Sequence, residues 1–204
     1  MLIGQAPGRR EIETGLPFAH DAGKRLVGWL ATAGIGVEDF RERWYVTSVA
    51  KCYPGRRPGS SADAPPSRAE VRRWSPYLDD EVRLLSPRVV VLVGGLAHRY
   101  AFGDRARADV LVGQPLAWER APGASVLALP HPSGASTWLV DPAHVPLWER
   151  SLQLLADAWR KVASRAGESV RGRRAATRFP SRQPTPGQPE SDGSGRRWWS
   201  EWGC

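Results

Sequence analysis

The chain has 204 residues, 41% hydrophobic and 25% charged, a balance that suits one globular domain and excludes a wholly disordered or fibrous chain. Lysine and arginine number 29 against 21 aspartate and glutamate, and the formal net charge of +8 favours a polyanionic partner. Two cysteines, Cys52 and Cys204, are too few for a disulfide framework or a four-cysteine metal site, and no apolar run approaches the roughly 20 residues that span a bilayer, so a cytoplasmic protein without membrane attachment is expected.

Residues 1 to 3 are apolar and run into Gly4-Gln5-Ala6-Pro7-Gly8, the pattern of a buried strand entering a tight loop. From residue 22 to 33 the apolar positions Leu26, Val27, Trp29, Leu30 and Ala33 recur at helical spacing, with Asp21 placed to cap the start and Gly34 the end. A second strand is expected over 44 to 49, feeding a long basic loop in which no regular element is predicted.

Ser67 followed three residues later by Glu70 predicts a capping box. The helix it opens carries Val71, Trp74, Leu78, Val82 and Leu85 on one side, with Pro76 placed to kink or divide it. Residues 89 to 93 form a continuous β-branched run, as in a central parallel strand covered on both faces, and Gly94 and Gly95 open another helix. A fourth strand over 125 to 129 delivers His131-Pro132-Ser133-Gly134-Ala135-Ser136 at its C-terminal end, and a last helix spans 145 to 164.

This alternation predicts a three-layer α/β/α sandwich around a central, mainly parallel four-stranded sheet, with ligand sites where strands end in loops. The domain is expected to cover residues 1–165. Residues 166–204, rich in Arg, Pro, Ser and Gly, read as a disordered basic tail.

The segments GQAPG, LPF and AG near one end, YVTSVAKCYPG in the middle and HPSGAS near the other end together resemble the blocks of the uracil-DNA glycosylase superfamily. They are most similar to its bacterial and archaeal branches with GEAPG, RPF, TNVVKCRPP and HPS blocks, over about residues 1 to 160. The resemblance implies a monomeric enzyme without a cofactor that hydrolyses the N-glycosidic bond of a flipped base, most simply uracil, in DNA. Cleaving that bond leaves charge on the departing base, so the site must hold an extruded ring and stabilise an anion.

On this resemblance Gly4, Ala6, Pro7 and Gly8 line the loop that approaches the base, and Gln5 supplies an amide that positions water but cannot act as a general base. Related families place a glutamate at the Gln5 position or an aspartate at the Ala6 position, which leaves Asp21 as the nearby carboxylate; capping a helix is its alternative role. Phe18 offers a face for stacking, Ser48 stands where an asparagine commonly reads the base edge, and His131 is placed to hydrogen-bond the developing oxyanion. Lys51, Arg56, Arg57, Ser133, Gly134 and Ser136 are the expected DNA contacts. Cys52 matches one iron–sulfur ligand of the cluster-bearing branch, but Ser75 replaces the next, so no metal is expected.

Two other functions stay open. One is a non-catalytic DNA-binding protein on the same fold, motivated by the changed carboxylate and asparagine positions; the other is a glycosylase for hypoxanthine, xanthine or another deaminated base, motivated by Ser48. Because related families carry a helix before the first strand, a reading frame that extends upstream is a further possibility.

Overall fold

The computed structural model describes residues 1–18, 21–60, 62–134 and 136–176, the last twelve of these by backbone alone. Its sheet has four short strands, β1 (Leu2–Gly4), β2 (Val46–Ser48), β3 (Val89–Val93) and β4 (Ser125–Leu129). Every pairing is parallel, in the order β2-β1-β3-β4. The chain goes from β1 outward to β2, then crosses to β3 on the other side of β1. Strand order therefore reverses between β1 and β3, where open α/β sheets form a crevice beyond the carboxyl ends of their strands.

Helices α1 (Arg9–Thr14), α2 (Asp21–Thr32), α3 (Val37–Arg43), α4 (Arg68–Leu85), α5 (Gly95–Phe102), α6 (Ala108–Leu111) and α7 (Val145–Ala176) surround the sheet. Successive side chains of a strand point to opposite faces, and the two cores follow that alternation. Leu2, Val89, Val91, Val93, Leu127 and Leu129 pack with Leu26 and Leu30 of α2, Phe40 of α3, and Leu155 and Trp159 of α7. Ile3, Val90, Leu92 and Val126 pack with Leu78 and Val82 of α4 and Ala97 of α5 on the other face. Each leucine or valine buried this way contributes about 1.5–3 kcal/mol, and the sandwich has the three layers expected.

Helix α4 opens with the expected capping box: Glu70 N–H donates to Ser67 Oγ at 3.2 Å and Ser67 N–H to Glu70 Oε2 at 2.7 Å. Pro76 does not divide it. The carbonyl that loses its helical donor belongs to Arg72, which is on the exposed side of the helix. Helices α1, α3 and α6 have six, seven and four residues, too few for an apolar period to repeat, and sequence periodicity did not signal them. Helix α7 continues past residue 164, so 166–176, expected to begin the tail, are helical in backbone; residues 177–204 lie outside the described residues.

Between α1 and α2, Phe18 takes the left-handed conformation, with φ of 55°, which costs a residue with a side chain about 1–2 kcal/mol. The first turns of α2 press directly on it: a Cβ built on Gly23 would lie 1.9 Å from the carbonyl oxygen of Phe18. Gly28, on the exposed side of the same helix, has nothing within 4 Å of its equivalent Cβ. Gly23→Ala is therefore expected to destabilise the fold by about 1–3 kcal/mol, and Gly28→Ala to stabilise it by roughly 0.5–1 kcal/mol. Urea denaturation of the two variants checks both signs.

Candidate functional site

Register aligns the strand ends that carry the site. Ile3 pairs with Leu92 and Val93 with Leu129, so Gly4 at the end of β1, Gly94 just beyond β3 and His131 just beyond β4 stand along one edge of the sheet. Neighbouring parallel strands lie about 4.8 Å apart. A planar ring entering this edge thus meets the β1 loop on one side and the β4 loop within two strand spacings.

Phe18 lies over the β1 end, where its Cζ would be 3.6 Å from a Cβ on Gly4. Its backbone is held by Glu11, whose Oε1 accepts Phe18 N–H at 2.6 Å while Oε2 accepts Gly8 N–H at 2.5 Å. One carboxylate thus caps α1 and fixes the aromatic residue to the glycine loop. Behind the ring, Phe40 packs at a centroid distance of 6.4 Å, leaving Phe18 half-buried.

His131 is seated just as specifically. Its Nδ1 receives Ser133 N–H at 3.2 Å and lies 2.9 Å from Ser133 Oγ. A backbone amide can only donate, so Nδ1 is the bare nitrogen and the ring proton sits on Nε2. Burial holds the imidazole below its usual pKa and keeps it neutral. Protonation would also set an N–H against the amide of Ser133.

Against the ring lies Gly94, at φ of 84°, where a Cβ would fall 2.9 Å from His131 Cδ2. Only glycine tolerates both that angle and that contact. Arg25 of α2 donates to the carbonyl of Pro132 at 3.0 Å, so the helix pressing on Phe18 also holds the His131 loop. One helix thus touches both loops.

The other expected residues divide. Gly4, Ala6, Pro7 and Gly8 form the β1 loop, tied to the β2 loop by Val49 N–H to Gly4 O at 3.0 Å and Ala50 N–H to Gln5 O at 3.1 Å; the Gln5 side chain is half-buried at this end. Arg56 and Arg57 are exposed on a small turn closed by Arg57 N–H to Ala62 O at 2.9 Å, in the stretch where no regular element was predicted. That turn packs on the β1 loop, with Asp63 Oδ2 3.2 Å from a Cβ built on Gly8. Gly134 is exposed and Ser136 half-buried, its N–H donating to Ser133 O at 3.0 Å; Ala135 lies outside the described residues.

Four of the expected residues have surroundings that the sequence did not show. Lys51 is buried, its ammonium 2.7 Å from Glu81 Oε2 and 2.5 Å from Thr47 Oγ1, so it braces β2 against α4 and does not face a phosphate. Ser48 is buried and donates its hydroxyl proton to Ala50 O at 2.7 Å, which makes it a turn residue with no proton left for a base edge. Ser133 lies against His131, its N–H donating to Nδ1 and its hydroxyl 2.9 Å from the same nitrogen, so it seats the imidazole. Asp21 sits in the first turn of α2 with its side chain fully exposed, 3.9 Å from Lys24 Nζ, where a carboxylate complements the helix dipole; among the described residues none fixes it at the crevice.

An iron–sulfur cluster does not fit the residues present. Ser75, at the second ligand position, donates its hydroxyl to Val71 O at 2.7 Å inside α4, and the sequence has two cysteines in all. Among the described residues no three His, Cys, Asp or Glu side chains converge to hold a metal ion.

Glu11, Gly23, Arg25 and Gly94 were not singled out as site residues from the sequence. Glu11 stands at capping-box spacing from Gly8, and Gly23 is the glycine of the quoted AG pair, so both had a local signal. Arg25 meets Pro132 across 107 positions and had none.

The profile of the Uracil DNA glycosylase superfamily matches residues 1–163. The Type-4 uracil-DNA glycosylase of Archaeoglobus fulgidus is 36% identical over 102 residues, which cover 50% of this chain and 46% of that protein. Its counterpart in Sulfurisphaera tokodaii is 34% identical over 102 residues, covering 50% and 42%, and that of Thermotoga maritima 29% identical over 134 residues, covering 65% and 64%. The chain thus spans between 42% and 64% of the length of these curated relatives.

Replacing Glu11 by alanine leaves the amides of Gly8 and Phe18 without their acceptor. Amide hydrogen exchange measured by NMR is expected to accelerate at these two positions while the amides of β3 keep their protection.

Proposed function

The chain belongs to the Uracil DNA glycosylase superfamily, and from that premise we propose that it hydrolyses the N-glycosidic bond of a deaminated base, uracil first, flipped out of DNA. The base stacks on Phe18. As the bond to C1′ breaks, its electron pair leaves with the base, and the Nε2–H of His131 donates to the oxygen on which that charge collects. Water then adds to the cationic sugar, losing a proton to solvent, and the released base is protonated.

The observation that supports this reading is the Nδ1 seat of His131 on the same sheet edge as Phe18, because it leaves Nε2–H as the neutral donor available to an anion forming there. A late-captured water needs orientation more than deprotonation, which suits the amide of Gln5. Asp21, solvated in the first turn of α2, has no part in this mechanism. Arg56 and Arg57, on the turn that packs against the β1 loop, contact the phosphate backbone. The protein acts as a monomer on damaged DNA in the cytoplasm without a diffusible cofactor; among the described residues no helix is long and apolar enough to cross a membrane.

The carboxylate fixed at the β1 loop, Glu11, spends both oxygens on the amides of Gly8 and Phe18, which favours a second reading, a protein that binds damaged DNA without cutting it. Incubation with a panel of oligonucleotides holding uracil, hypoxanthine or xanthine decides between them: the enzyme releases free uracil, whereas a binder retards the strand with every glycosidic bond intact. Release of a purine alone would remove uracil as the substrate.

Three outcomes are expected if the enzyme reading holds. His131→Ala loses on the order of 10²–10³ in single-turnover rate, the magnitude for one oxyanion donor. Because burial lowers the His131 pKa, the neutral ring persists to below its usual value near 6.5. The acid limb of the rate therefore falls beneath about pH 6.5 and is absent from the residual activity of His131→Asn. Arg56→Ala reduces the salt slope of DNA binding by roughly one, and Lys51→Ala leaves that slope unchanged.

A further inference from the structure

The mechanism leaves one buried titratable side chain unexplained. His98, in α5, is completely buried, and its Nε2 lies 3.2 Å from the carbonyl oxygen of Leu92 and 3.1 Å from that of Leu129. Both oxygens are acceptors, so Nε2 carries the proton and is shared between them. Nδ1 is buried with no hydrogen-bond partner among the described residues. Burial lowers the pKa of this ring too, in keeping with a neutral imidazole whose protonation would strand a second N–H.

A half-satisfied histidine is a poor way to fill a core, since an apolar side chain of similar volume would leave no orphaned nitrogen. What distinguishes His98 is where its proton goes. Leu92 precedes Gly94 by two residues and Leu129 precedes His131 by two, and Gly94 N–H donates to the same Leu129 oxygen at 2.9 Å. The imidazole thus fastens the last rung between β3 and β4, directly beneath the contact between Gly94 and the His131 ring. His98 N–H also donates to Gly94 O at 3.1 Å, so the clasp reaches that glycine through backbone and side chain together.

We propose that His98 is a positioning residue, whose shared N–H sets the separation of the β3 and β4 ends and thereby the orientation of His131 in the crevice. It touches no base and acts only through the two strand ends. The role rests on the glycosylase reading for its effect on rate, and on geometry alone for its effect on the His131 ring.

The test compares two replacements in the full chain. His98→Gln keeps an N–H close to the position of Nε2, and His98→Leu fills the space without a donor. Single-turnover excision from a uracil-containing oligonucleotide is expected to slow roughly tenfold to a hundredfold in His98→Leu, as displacement of a catalytic group does, and to recover in His98→Gln. DNA affinity should hold in both. The ¹⁵N signals of the His131 ring should move in His98→Leu and return in His98→Gln. If His98→Leu does not fold, His98→Asn, whose amide is too short to reach both carbonyls, replaces it under the same criteria. Equal slowing of the leucine and glutamine variants, or His131 signals unmoved in both, overturns the proposal. Should the parent chain excise no base, the His131 signals decide the positioning role by themselves, and the failure belongs to the glycosylase reading.

Discussion

The pairing of Ile3 with Leu92 and of Val93 with Leu129 is what brings the ends of β1, β3 and β4 to one edge of the sheet. Both faces of these strands are apolar and covered, so the register is held by the fit of particular side chains within each layer, and a slip of one position would exchange residues of different size between two close-packed cores. Hydrophobic burial far from the crevice therefore determines where Phe18 and His131 can stand.

On that rigid frame the site itself is made of unusual backbone. Phe18 holds a left-handed angle that its side chain disfavours, and it stays there because Glu11 binds its amide and Gly23 admits its carbonyl. Gly94 holds a left-handed angle so that an imidazole can lie against it. Strain placed at loop ends and maintained by the surrounding fold is common where a ligand must be met by pre-positioned groups. Desolvation lowers the pKa of buried His98 and of half-buried His131 alike, which favours directed N–H dipoles over a formal positive charge at this edge.

The layout of strands and helices was largely legible in the sequence. The runs over 89 to 93 and 125 to 129 are bounded by turn residues and read as buried strands, and the end of the second puts His131 at a strand terminus. Phe18 was singled out by the LPF block of the family resemblance and not by any local periodicity. What a sequence window cannot show is the partner of a polar side chain. Lys51 looked like a DNA contact because Glu81 is 30 positions away, and Ser133 looked like a phosphate ligand because a hydroxyl two residues from a histidine has several plausible acceptors. His98 had no context at all until β3 and β4 were laid side by side.

A crystal structure of the chain with duplex DNA holding one non-hydrolysable 2′-fluoro deoxyuridine tests the central claim most directly. The flipped uracil should lie against the Phe18 ring with a carbonyl oxygen within hydrogen-bond distance of His131 Nε2, and Gly4 and Gly94 should form the floor beneath it. Finding the base seated elsewhere, or the DNA bound along the opposite edge of the sheet, would contradict the account.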